Sequence, residues 1–99
     1  MMIHDEVKFF SPDGEDILDK ETLIVYTVAK AQVFDPDSLK YKKSVIQGNS
    51  ATLEYTCELD TVNINGIELY TFDKDEKLIE LKLFVRPLKA ALLMSDLIC

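Results

Sequence analysis

The chain has 99 residues, about one small domain by the usual length scale, with 47% hydrophobic and 29% charged residues and only 3 Gly and 3 Pro. That balance excludes collagen-like sequence and extended disorder and sets the expectation of a single folded domain over residues 1–99. Eleven Lys plus Arg against eighteen Asp plus Glu leave a net charge of −7, which repels phosphate backbones and anionic lipid, so neither nucleic acid nor membrane is an expected partner. Two cysteines, Cys57 and Cys99, make no disulfide framework and no metal knuckle. With no signal-peptide pattern at the N-terminus and no apolar run near the ~20 residues that span a bilayer, the expected location is the cytoplasm.

The first element is a short strand, Glu6 to Phe10, closed by turn chemistry at Ser11-Pro12-Asp13-Gly14. A helix follows from about Asp19 to Phe34. Leu23, Tyr26, Thr27, Lys30 and Phe34 recur at three-to-four spacing, with Ile24, Val28 and Ala31 widening the stripe. Thr22 to Val28 is rich in β-branched residues and competes as a strand, but the length of the element favours a helix, which Asp35-Pro36 stops.

Four strands come next. Leu39 to Gln47 alternates imperfectly, and Gly48-Asn49 is a tight-turn signal. After it Leu53, Tyr55, Cys57 and Leu59 face one way while Thr52, Glu54, Thr56, Glu58 and Asp60 face the other. Val62 to Phe72 sets Val62, Ile64, Gly66, Glu68, Tyr70 and Phe72 opposite Ile67, Leu69 and Thr71, with a bend or bulge expected at Gly66. Asp73 to Glu76 is a charged hairpin turn, and Ile79, Leu81, Leu83 and Val85 then alternate with polar neighbours up to Arg86-Pro87. Leu88 to Ile98 reads as a short apolar helix. The expected fold class is α+β, a curved, mostly antiparallel sheet packed against a helix.

The run from Gly66 to Leu88, with its Arg86-Pro87-Leu88 exit, resembles the closing hairpin of the SnoaL-like branch of the nuclear transport factor 2-like superfamily, and His4 to Pro12 resembles that family's first strand and turn. The resemblance implies a cone whose sheet curls around a pocket, a homodimer, and either a bound small molecule or isomerase or cyclase chemistry. No cofactor and no metal are expected, because no metal-knuckle spacing, calcium loop or phosphate-cradling glycine loop is legible. Family members begin with helices ahead of the first strand, whereas this chain reaches that strand at Glu6, so the expected pocket is shallow, open or closed by a partner subunit.

Several residues could carry chemistry. Tyr55, sharing a face with Leu53 and Cys57, leads the pocket-lining candidates, followed by Tyr26 and Tyr70, because a phenol in apolar surroundings can donate to a carbonyl or oxyanion. Glu54 is the candidate carboxylate, since the resemblance implies a general base inside the cone. It shares a strand face with Glu58 about 13 Å away, too far for a shared proton, and the competing reading is a solvated or dimer-facing polar row. His4 and Asp5 are adjacent on an extended chain and so point to opposite faces, which weakens them as an acid/base pair. Cys57 has no activating histidine in the sequence around it and reads as a small core residue. Arg86 is expected to pair with a carboxylate at the sheet end or across a dimer. Asp73 to Lys77 and Asp35 to Ser38 lack the glycine and terminal glutamate of a calcium loop and read as turns. No constellation assigns a reaction. The leading expectation is a homodimer binding a small apolar or weakly polar molecule. An isomerase or cyclase of the ketosteroid-isomerase or polyketide-cyclase type and a structural interaction module are the alternatives.

Overall fold

A computed structural model describes residues 2–12, 17–33 and 37–96. The elements are β1 (Met2–Phe10), β2 (Ile17–Leu18), α1 (Lys20–Val33), β3 (Lys40–Gln47), β4 (Ser50–Leu59), β5 (Val62–Phe72), β6 (Lys77–Arg86) and α2 (Leu88–Asp96). The six strands form one open sheet in the order β2-β1-β6-β5-β4-β3. All neighbouring pairs are antiparallel except β1 with β6, which run parallel, so the sheet is mixed but mostly antiparallel, as expected of an α+β fold.

Local chemistry explains the element ends. Asp19 caps α1: its Oδ1 accepts the backbone N–H of Thr22 at 3.0 Å and the Thr22 hydroxyl at 2.8 Å. Gly48 opens the β3–β4 turn at φ 58°, the left-handed value that a primed hairpin turn places on its first residue. The β4–β5 turn puts both Asp60 (φ 49°) and Thr61 (φ 66°) in that region, and no glycine marks it in the sequence. In the β5–β6 turn, Asp73 Oδ1 accepts from the backbone N–H groups of Asp75 and Lys77 at 2.8 and 2.9 Å, which fixes the charged loop as a turn. Past the cis Arg86–Pro87 peptide, the Pro87 carbonyl accepts from the N–H groups of Ala90 and Ala91 and starts α2.

One face of the sheet carries the core. Val7 and Phe9 of β1, Tyr55, Cys57 and Leu59 of β4, Ile64 of β5 and Leu78, Leu81 and Leu83 of β6 are buried with Leu23 and Tyr26 of α1 and Ala90 and Met94 of α2. The Phe9 and Tyr26 rings, 5.3 Å apart, seat α1 on β1.

Several expectations need correction. The first strand begins at Met2 rather than Glu6, and the two-residue β2, too short to leave a periodic signal, pairs Leu18 with Phe9. Among the described residues of the helical stripe only Leu23 and Tyr26 are buried, while Ile24, Val25 and Val28 are about half exposed, so this part of α1 meets the sheet along a narrow line. Gly66 holds unbroken register with both neighbouring strands; the bulges lie at Tyr41/Lys43, at Thr71/Phe72 and between Ile3 and Lys8. What Gly66 supplies is space, because the Tyr55 ring lies where a side chain at position 66 would stand. Arg86 is exposed and forms no ion pair with any described residue. The expected turn at Asp13-Gly14, the helix end at Phe34 to Pro36 and the tail Leu97 to Cys99 lie outside the described residues. Among the described residues no helix is long and apolar enough to cross a membrane, and no group of three His, Cys, Asp or Glu side chains is placed to hold a metal.

Candidate functional site

Strand alternation brings Leu53, Tyr55 and Cys57 of β4 and Ile64, Gly66, Glu68 and Tyr70 of β5 to the inner face, with Leu53 opposite Glu68, Tyr55 opposite Gly66 and Cys57 opposite Ile64. Over this face lies α1, whose Tyr26 and Lys30 are one turn apart and so project from the same side. The centre of the arrangement is Glu68, a carboxylate whose side chain is only 5% exposed. Lys30 Nζ donates to Glu68 Oε2 at 3.2 Å and sits 5.6 Å from the centroid of the Tyr26 ring, so one ammonium neutralises the carboxylate and rests against an aromatic face. Tyr70 lies two residues along β5 on the same face, and the nearby Glu68 helps to hold its phenol protonated. A cavity of about 70 Å³ opens beside the pair, lined by Lys30, Leu39, Tyr41, Tyr55 and Glu68.

Burial governs the titration of this face. The Tyr26, Tyr55 and Tyr70 phenols are all held protonated far above the ordinary tyrosine value, first by desolvation and then by neighbouring groups that include Glu68. The Cys57 thiol is pushed up to about 11, again mainly by burial, with Lys30 acting in the opposite sense. At neutral pH the phenols are therefore donors and not phenolates, and the thiol is not a nucleophile. Among the described residues the Tyr55 hydroxyl reaches only the Met94 sulfur, 4.0 Å away, a weak acceptor. The Tyr26 hydroxyl is buried and has no hydrogen-bond partner among the described residues, an orphan of the kind that a water or a ligand atom normally satisfies.

The sequence-based candidates divide between the two faces. Tyr26, Tyr55 and Cys57 are buried on the inner face, with half-buried Tyr70 and Leu53 beside them. Glu54 lies on the opposite face, where Asn65 Nδ2 donates to its Oε2 at 3.0 Å, and it does not reach the cavity. His4 accepts the Glu6 backbone N–H on Nδ1, and Asp5 pairs with Lys20 at 2.9 Å, so the two side chains are separately engaged. Sequence reasoning missed Glu68 and Lys30. Their signal was present: a carboxylate on the Ile64-Gly66-Tyr70 face of β5 and a lysine on the Leu23-Tyr26 stripe of α1 are opposite charges, each on an otherwise apolar face.

The same arrangement of sheet and helices occurs in solved structures. A steroid delta-isomerase from Pseudomonas aeruginosa superposes with a TM-score of 0.84 at 19% identity, over 98% of this chain and 72% of that one. A nuclear transport factor 2-like protein of unknown function from Cytophaga hutchinsonii gives 0.64 at 18% identity, over 89% and 72%. This chain has the nuclear transport factor 2-like fold. A candidate SnoaL-like polyketide cyclase from Jannaschia sp. CCS1 shares it, with a TM-score of 0.69 at 13% identity over 95% of this chain and 74% of that one. No protein-family model matches the chain, and no curated protein matches it by sequence. The likeness is thus one of fold, and the chemistry has to be argued from the side chains.

Proposed function

We propose that this chain binds a compact, uncharged molecule with an apolar body and a carbonyl or hydroxyl group in the cavity beside Glu68. The observation that carries this reading is the placing of the cavity against Tyr55 and a Lys30–Glu68 pair whose charges already neutralise each other. A ligand carbonyl can accept from Tyr41 or Tyr55, both on the cavity wall, and a ligand hydroxyl can donate to the remaining lone pairs of Glu68. The volume of about 70 Å³ suits a fragment of a few heavy atoms, well below the roughly 300–1,000 Å³ of drug-sized pockets. Exposed Ile24, Val25 and Val28 along α1 support self-association as a homodimer. The test is a two-dimensional NMR titration with cyclohexanone and phenol. Saturable shifts at Tyr41, Tyr55 and Glu68 that weaken in Tyr55→Phe are expected, and no saturation by either compound would remove the reading. Light scattering checks the association: a concentration-independent monomer would refute the dimer.

The alternative is proton transfer of the ketosteroid-isomerase or polyketide-cyclase kind, with Glu68 as base and a tyrosine as donor. The placing of a carboxylate among protonated phenols, in a fold shared with a steroid delta-isomerase, favours it. The Lys30 pair opposes it, because a neutralised carboxylate is a poor base. Isomerisation of a β,γ-unsaturated ketone that is abolished in Glu68→Gln would put this reading first. Absence of turnover in the unaltered chain would discard it.

A further inference from the structure

A second concavity lies on the outer face. Lys40, Thr56, Asn65 and Arg86 stand in direct register across four strands, β3 to β6, Lys40 against Thr56, Thr56 against Asn65 and Asn65 against Arg86. They line a groove of about 550 Å³ whose wall also carries Lys42. None of the three cations forms an ion pair with a described residue. The carboxylates of Asp37 and Glu58 also border the groove, and that of Glu54 is held behind it on Asn65, so what distinguishes the groove is a set of three cations without ion pairs in a chain whose net charge is −7. The Asn65 amide is oriented by donating to Glu54 Oε2 at 3.0 Å and to the Tyr55 carbonyl at 3.1 Å. Its oxygen is left as an acceptor next to the Thr56 hydroxyl.

Spacing selects the ligand. Three strand-to-strand steps separate the Lys40 and Arg86 backbones by about 14 Å, too far for one small ion to engage both side chains closely. We infer that the groove binds an elongated small molecule with an anionic group at each end and polar groups between. Lys40 and Lys42 hold one end and the Arg86 fork holds the other, while Thr56 and Asn65 meet the middle. A guanidinium with no protein partner suits carboxylate or phosphate, and the two bordering carboxylates select against compact, highly charged polyanions.

The test is an NMR titration of the full chain with adipate and with fructose 1,6-bisphosphate, using acetate at matched ionic strength as the single-charge control. The expected result is saturable shifts confined to Lys40, Thr56, Asn65 and Arg86 for at least one dianion, and the tighter of the two identifies the end group as carboxylate or phosphate. Arg86→Ala and Lys40→Ala, both at exposed positions, should each weaken binding about tenfold. Glu58→Gln should strengthen it. Shifts spread equally over Lys8, Lys20, Lys74 and Lys82, an acetate response equal to that of both dianions, or unchanged affinity in both alanine variants would overturn the proposal.

Discussion

Removing either partner of the Lys30–Glu68 pair should have unequal consequences, because the two side chains are unequally buried. Glu68 is 5% exposed and Lys30 is 29% exposed. Lys30→Met strands a carboxylate in the interior without its counter-ion, and breaking a buried pair from this side is expected to cost about 3 kcal/mol. Glu68→Gln leaves an ammonium that can turn to water and a neutral amide in place of the buried charge, so about 1 kcal/mol is expected. The double variant removes both charges and should cost no more than Glu68→Gln alone, a coupling of about 3 kcal/mol between the two sites. Urea unfolding followed by circular dichroism measures all four states. If Glu68→Gln is as costly as Lys30→Met, or the two losses simply add, the pair is not the buried, coupled unit described.

Three further outcomes are expected. Thr61→Gly relieves a β-branched residue at φ 66° and should stabilise the chain by about 0.5 kcal/mol after glycine's entropic cost, visible as a higher urea midpoint; a lower midpoint would contradict the turn geometry. Gly66→Ala drives a methyl group into the Tyr55 ring and should cost about 2–3 kcal/mol, most of it vanishing in a Tyr55→Ala background, and additive losses would show that the two do not collide. The Cys57 thiol, raised from 9.0 to about 11, should resist iodoacetamide at pH 8 in the folded chain and react once urea unfolds it. Its folded value lies above its unfolded one, so its contribution to stability is complete below pH 9 and is lost as pH rises towards 11; Cys57→Ala should flatten that decline, and an identical slope would refute the assignment.

The strands were legible because their alternation survives inspection: Leu53, Tyr55, Cys57 and Leu59 differ from their neighbours in polarity at each step, and burial follows that difference. Helix α1 was legible in extent and misjudged in width. Ile24, Val25 and Val28 are as apolar as Leu23, and only the packing of Tyr26 on Phe9 decides which side turns inward. The parallel pairing of β1 with β6 joins segments about seventy residues apart and leaves no local trace. Gly66 was read by its backbone freedom, whereas its use depends on a ring from the neighbouring strand. The site was half visible for a similar reason. Tyrosines on an apolar face attract notice as donors, but Glu68 and Lys30 each read as an ordinary surface charge until register and helix placement bring them to 3.2 Å.

That neutralisation decides what each face of the sheet can select. On the inner face an anion would meet Glu68 and a cation would meet Lys30, each at short range in a poorly solvated site where like-charge repulsion is strong. A neutral ligand avoids both penalties and gains a hydrogen bond from the Tyr55 phenol, which cannot ionise in the neutral range, so its recognition there should be independent of salt. On the outer face the three cations are exposed and unpaired, and any affinity for a dianion must fall as ionic strength rises. Salt dependence therefore separates the two sites without any substitution. Binding of cyclohexanone that weakens in salt, or binding of a dianion that does not, would mean that the ligand occupies the other face or that the charges there are already compensated.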